Sequence, residues 1–201
     1  MKLLHLDASP RSVRSVTRKL SAGFIQNLRV RLPGLHVTHR DVGHHPPAFI
    51  SDAWVGAAFA PADHDDPSMK GILHHSDELT AELLNCDTLL IASPMHNFTI
   101  SASLKAWIDQ VVRTDMTFKI TEQGVIPLLH GKKALVITSR GGFVAGTDYD
   151  FQEPYLRKIL GFIGIMDVTF IHAEGVNSGE KERTEAMTQA SAKLIELSKS
   201  W

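Results

Sequence analysis

Residues 87–104 read DTLLIASPMHNFTISASL. An apolar run, Leu89-Leu90-Ile91-Ala92, stops at Ser93-Pro94. A short loop, Met95-His96-Asn97-Phe98, follows, and Ser101–Ser103 opens a segment with Leu104, Ile108, Val111 and Val112 on one side. The first part has the composition of a buried strand, and the last has the spacing of an amphipathic helix with hydroxyls at its start. In an open parallel sheet, a strand, a tight polar loop and a helix N-terminus in succession line a ligand site beyond the strand's carboxyl end.

The same alternation extends outward in both directions. Lys2–Leu6 reads as a first strand, followed by a helix from Ser15 with Val16, Leu20, Phe24 and Leu28 every four residues, and His36–Val42 reads as a second strand. A helix opening at Ser76-Asp77-Glu78 leads into the central strand. Beyond the helix Ser101–Arg113, the stretch Thr117–Val125 suits a small hairpin turning near Gln123-Gly124. Ala134–Thr138 and Val168–Ile171 are further strands, and Tyr149–Phe162 and Glu180–Leu197 are further helices. Five strands alternating with helices predict a single α/β domain over residues 1–201, a doubly wound five-stranded parallel sheet in three layers. The exception is an irregular excursion from Gly43 to His75. It holds Pro46, Pro47, Pro61 and Pro67, the acidic cluster Asp63-His64-Asp65-Asp66, and Trp54 and Phe59, which read as exposed. Short helices suit Ser51–Phe59 and the residues after Pro67. Excursions of this kind are often lids or interface elements.

A chain of 201 residues, 43% hydrophobic and 21% charged, fits one globular domain with a sizeable core. A net charge of −1 gives no general attraction to nucleic acid or to an anionic membrane. No apolar run approaches the ~20 residues of a membrane span, and the apolar start is too short for a secretory signal. The expectation is a cytoplasmic protein. The single cysteine, Cys86, excludes an internal disulfide and reads as a small buried hydrophobe. The eleven histidines include the adjacent pairs His44-His45 and His74-His75, but no zinc-ligand spacing is present, and no metal is expected.

Three polar loops follow three of the strands: Ser9–Thr17, Pro94–Phe98 and Ser139–Gly142. Right-handed crossovers bring such loops to one rim. The first offers hydroxyls and amides at a helix N-terminus, a cradle for a phosphate dianion, with Arg11 or Arg14 adding charge. An ordinary helix cap with solvated arginines reads the same residues as well. Neither G-x-G-x-x-G nor G-x-x-x-x-G-K-[ST] is present, which favours a mononucleotide over a nucleoside triphosphate. Pro94-Met95-His96-Asn97-Phe98 suits the edge of a flat heteroaromatic ring, with Asn97 as donor and acceptor. Met95 and Phe98 are equally readable as core plugs. Gly141-Gly142 permits close backbone approach or a plain turn.

These residues resemble the FMN-dependent azoreductases within the flavodoxin-like quinone reductases. The likeness covers nearly the whole chain and is densest from Ser76 to Gly142, through S-D-E-L-x-A-E-L, P-M-H-N-F-x-I-S, L-K-x-W-x-D, T-F-x-x-T-E-x-G and G-K-K-A-L-V-I-T-S-R-G-G. The resemblance implies a flavodoxin-like fold and FMN as cofactor. Ser9, Arg11, Ser15, Val16 and Thr17 would lie at its phosphate, Pro94, Met95, His96, Asn97 and Phe98 along the isoalloxazine, and Ser139, Arg140, Gly141 and Gly142 at the other edge. It further implies NADH or NADPH as donor, quinones and aromatic azo compounds as small aromatic acceptors, and a homodimer with active sites at the interface. Phe118, with Phe59 and Phe162, would form an apolar substrate wall. The flavin would carry the chemistry by a ping-pong cycle, with no side chain in a catalytic role. An electron carrier or flavin-binding signalling module is the alternative. The family usually has Tyr where this chain has His96, and the excursion matches it poorly except at Val55-Gly56-Ala57.

Overall fold

The computed structural model describes residues 1–60 and 67–201, so the cluster Asp63-His64-Asp65-Asp66 and Pro61 lie outside the described residues. In chain order the elements are β1 (Lys2–Asp7), α1 (Val16–Arg31), β2 (His36–Arg40), α2 (Asp52–Ala58), α3 (Pro67–Asn85) and β3 (Thr88–Pro94). They continue with α4 (Ala102–Val111), β4 (Phe118–Thr121), β5 (Gly124–Pro127), β6 (Lys133–Ser139), α5 (Gln152–Ile163), β7 (Asp167–Ala173) and α6 (Glu180–Ser200). Five strands form one sheet in the order β2-β1-β3-β6-β7, and every pairing is parallel. The doubly wound α/β fold anticipated from the alternation is the one observed, and its order is that of a flavodoxin-like sheet. β4 and β5 pair separately as an antiparallel hairpin.

Residue alternation along the strands separates two apolar clusters. Leu4, Leu6, Leu89, Ile91, Ala134 and Val136 pack beneath α3, α4 and α5 with Leu79, Leu83, Trp107 and Leu160. Leu3, Leu90, Leu135, Ile137 and Ile171 face the other way, against Leu20, Phe24 and Leu28 of α1 and Ala190 and Leu194 of α6. The central strand β3 is buried along almost its whole length because helices cover both faces. Its apolar run therefore lacks the alternation of a half-exposed strand.

Three expectations from the sequence need correction. The helix before β3 starts at Pro67 rather than Ser76. Ser76 is buried inside α3, where its hydroxyl donates to the Gln110 carbonyl at 2.6 Å and accepts from Arg113 Nη1 at 2.7 Å. Its hydroxyl joins two helices and does not cap one. Trp54 is buried, not exposed: its indole donates to Gln110 Oε1 at 2.9 Å and the Arg113 guanidinium lies 5.5 Å above its ring. α2 is thereby docked on α4. Finally, α5 begins at Gln152 rather than Tyr149: Phe151 is the N-cap residue, and Asp150 Oδ1 just before it accepts from the amides of both Gln152 and Glu153.

Candidate functional site

All strands of the large sheet run the same way, so the loops after β1, β3, β6 and β7 leave from one rim. Cross-loop backbone bonds fix their spacing: Ala8 donates to Ala92 at 3.0 Å, Met95 to Ser139 at 2.8 Å and Arg140 to Ala173 at 2.9 Å.

The loop after β1 climbs to the N-terminus of α1. Ser15 takes the extended conformation of an N-cap and its hydroxyl accepts from the Arg18 amide at 3.3 Å. No acidic residue occupies the first turn of α1, so nothing offsets the positive end of the helix dipole there. The buried Ser9 turns its Oγ toward the Arg11 amide at 3.2 Å. Beneath the loop, Arg18 reaches back from α1. Nη1 donates to Asp7 Oδ2 at 3.1 Å and to Asp41 Oδ2 at 2.8 Å, and Nη2 donates to Asp41 Oδ1 at 2.5 Å and to the Ser9 carbonyl at 2.7 Å. Burial alone would raise the Asp41 carboxyl, but the Arg18 and His44 hydrogen bonds hold it well below the usual carboxylate range. Asp7 is lowered as well, where hydrogen bonds from His5 and His39 and the charge of Arg18 outweigh burial. Gly43 completes the support: a Cβ there would lie 2.1 Å from the Ser9 carbonyl oxygen, so only glycine lets the two backbones approach.

The loop after β3 is a two-residue turn. His96 and Thr99 exchange backbone hydrogen bonds at 2.9 and 3.1 Å across Asn97 and Phe98, which both have positive φ, 46° and 71°. That is the geometry of a type I′ turn, for which Asn is well suited and Phe is not. A strained non-glycine position in such a loop is a functional marker. The amides of Met95 and His96 are occupied by Ser139 and Thr99, whereas those of Asn97 and Phe98 make no backbone hydrogen bond among the described residues. At His96 the exposed imidazole, and not the amide, is free at the rim.

The loop after β6 presents Ser139 and Gly141 but withdraws Arg140. The Arg140 side chain is fully buried, its Nη1 2.8 Å from Asp150 Oδ2 and 3.7 Å from Glu174 Oε1, and its amide and carbonyl bond to Ala173 and Val176. Expected at the cofactor edge, Arg140 instead holds the loop from inside, while Glu174 Oε1 accepts the amides of Val144 and Ala145 at 2.8 and 2.7 Å. Burial and the Arg140 charge lower the pKa of the adjacent His172.

Between the three loops lies a cavity of about 130 Å³, lined by Ser9, Arg11, Arg14, Ser15 and Val16, by Pro94, Met95 and His96, and by Ser139 and Gly141. Asn177 and Arg183 close it. Its lining is mostly polar, and it opens at the rim of the sheet. Thr17 is buried behind the cavity, its hydroxyl 3.3 Å from Ser15 Oγ. His96 and Asn97 also border a second, more apolar cavity of about 500 Å³ with Ile100, Lys105 and Tyr155. Phe118 and Phe162 pack together with ring centroids 4.9 Å apart, whereas Phe59, after α2, is exposed. Asn177 and Arg183 carry no motif. They belong to the segment after β7 and to α6, and only the sheet order brings them to the rim.

One cluster has the residue types of a metal site. Ligand-type atoms of His5, Asp7 and His39 lie within 4.8 Å of one another. The Arg18 guanidinium contacts Asp7 Oδ2 beside it at 3.1 Å.

A family model described as a flavodoxin-like fold matches residues 1–197. The chain is 46% identical over 201 residues to FMN-dependent NADH:quinone oxidoreductase 1 of Trichormus variabilis, covering 100% of this chain and 97% of that protein. It is 44% identical over 196 residues to FMN-dependent NADH:quinone oxidoreductase 2 of Pseudomonas fluorescens, covering 98% of each. Among solved structures, an azoreductase from Bacillus anthracis superposes with a TM-score of 0.91 at 22% identity over 100% of both chains. An FMN-dependent NADH-azoreductase from the same species, solved in complex with FMN, superposes with a TM-score of 0.88 at 23% identity over 99% of this chain and 98% of that one.

Proposed function

The chain belongs to the flavodoxin-like family whose model spans residues 1–197 and to the lineage of the FMN-dependent NADH:quinone oxidoreductases, and from that premise we propose that it is an FMN-dependent oxidoreductase passing two electrons from NADH to quinones and aromatic azo compounds. The observation that carries this is the polar cavity at the N-terminus of α1, flanked by the turn at Asn97-Phe98 and the loop at Ser139–Gly142.

The Ser9 and Ser15 hydroxyls, the first amides of α1 and the guanidinium groups of Arg11, Arg14 and Arg183 would hold the phosphate. They combine hydrogen bonds with a positive field and need no nucleotide fingerprint. Asn97 and Phe98, whose amides have no backbone partner among the described residues, and Met95 would hold the ring. When bound, the flavin supplies a ring that takes a hydride equivalent from the nicotinamide and returns two electrons to the acceptor. The protein binds, orients and excludes water. His96, between the two cavities, sets polarity and charge where donor and acceptor dock. In this proposal donor and acceptor use one face in turn, which predicts parallel double-reciprocal lines. The cytoplasm, where NADH is abundant, is the proposed workplace.

We further propose a homodimer with the site at its interface. Large exposed apolar side chains ring the three loops, among them Phe98, Phe143, Tyr149 and Phe151, and Phe49 and Ile120 are exposed elsewhere. A partner covering that rim supplies the wall the tricycle lacks in one chain, and the Phe118–Phe162 pair suits it. The test is anaerobic titration of the purified protein after loading with FMN. A yellow protein bleached by NADH and recoloured by menadione is expected. A chain that retains no FMN, or one that settles into a stable one-electron state without oxidising NADH, overturns the proposal.

A further inference from the structure

We propose that Arg18 is a positioning residue for the cofactor cradle: with Asp7 and Asp41 it clamps the Ser9 backbone so that the loop 9–17 is set for a phosphate before the phosphate arrives. This rests on the proposal above that the loop after β1 holds the FMN phosphate. Three observations carry it.

First, Arg18 faces away from the cavity. The arginines lining the cavity are Arg11, Arg14 and Arg183, whereas the Arg18 guanidinium lies beneath the loop, its side chain 14% exposed, between the two carboxylates. Two carboxylates more than match its charge there, so its contribution to anion binding is geometric. Second, its Nη2 holds the Ser9 carbonyl at 2.7 Å, and the close approach of Gly43 fixes the same oxygen from another side. A carbonyl oxygen is the one backbone group that repels a phosphate, and the clamp keeps this one turned down and away. Third, the clamp joins the ends of neighbouring strands. Asp7 closes β1 and Asp41 directly follows β2, and Arg18 sits on the first turn of α1. The loop is thus tied to three rigid elements, which reduces the ordering cost of binding. The other titratable groups around the clamp are His5, His39 and His44. The ring of His39 lies 2.9 Å from Asp7 Oδ2 and that of His44 2.9 Å from Asp41 Oδ2.

The effect should be specific to the phosphate. Full-length wild type, Arg18→Lys and Asp41→Asn are titrated with FMN and with riboflavin, which lacks the phosphate, by quenching of flavin fluorescence. Wild type is expected to prefer FMN. Arg18→Lys keeps the charge but loses the bidentate fork, and is expected to weaken FMN binding about tenfold or more while riboflavin binding stays within about twofold. Asp41→Asn, which leaves the Arg18–Asp7 pair, is expected to narrow the FMN preference in the same direction, and it decides the matter if Arg18→Lys does not fold. A wild type that binds riboflavin as tightly as FMN overturns the phosphate assignment itself. A wild type that prefers FMN, with variants that keep that preference or lose both ligands equally, overturns the role of Arg18 and leaves the assignment standing.

Discussion

Asn97 and Phe98 show at the scale of single residues how a site departs from what local propensity prefers. With φ of 46° and 71° they hold the turn whose free amides face the rim. Replacing Asn97 with Ala should cost about 1 kcal/mol in a urea melt, because Ala tolerates a left-handed backbone poorly, while Asn97→Gly should be close to neutral. Loss of FMN affinity in the Gly variant at unchanged stability would separate the side-chain amide's role from that of the backbone. His172 carries a pH signature. Burial and Arg140 lower its pKa, outweighing Glu153 at 3.0 Å. Its contribution is complete above the unfolded value near 6.5 and is lost as pH falls through the lower folded value. His172→Gln should therefore lose less stability than wild type as pH falls below about 6.5 in parallel melts. Burial pushes the Cys86 thiol up to about 11, so the native protein should resist thiol reagents near neutral pH and react only after unfolding. The cap at Ser15 was legible in the sequence because a serine between a strand and a four-residue apolar period marks a helix start. The inward turn of Arg140 was not, since it depends on Asp150 and Glu174 arriving from other loops.

At the scale of elements, the strands and most helices follow from periodicity, and the errors lie where a polar side chain has two roles. Ser76 followed by acids looks like a helix start, yet the hydroxyl joins α3 to α4 and the helix begins earlier. The clamp beneath α1 gives this scale its own tests. Gly43→Ala forces a Cβ into the Ser9 carbonyl, so the cradle must shift. The purified variant should lose FMN on desalting, whereas wild type keeps it. Because Asp41 is held low, its contribution is complete above the unfolded value near 3.9 and is lost as pH falls through the folded one. Asp41→Asn should flatten the acid limb of the stability profile below about pH 4, measured by denaturant titration.

At the scale of the whole molecule, the doubly wound parallel sheet was legible because each strand carries its own apolar run and each helix its own stripe. Where Trp54 packs was not, because its partners Gln110 and Arg113 are far along the chain. Light scattering should return twice the 22.2 kDa chain mass, and a charge placed at Phe151 should shift it to one chain and lower NADH oxidation with it.

The cavity lining runs from Ser9 to Arg183, nearly the length of the polypeptide. A ribosome would have to pass Arg183 before the pieces of the pocket could meet, so flavin loading waits for that residue to emerge. Supply of the vitamin-derived cofactor would then govern how much newly made protein becomes active and, by mass action, how firmly it stays folded.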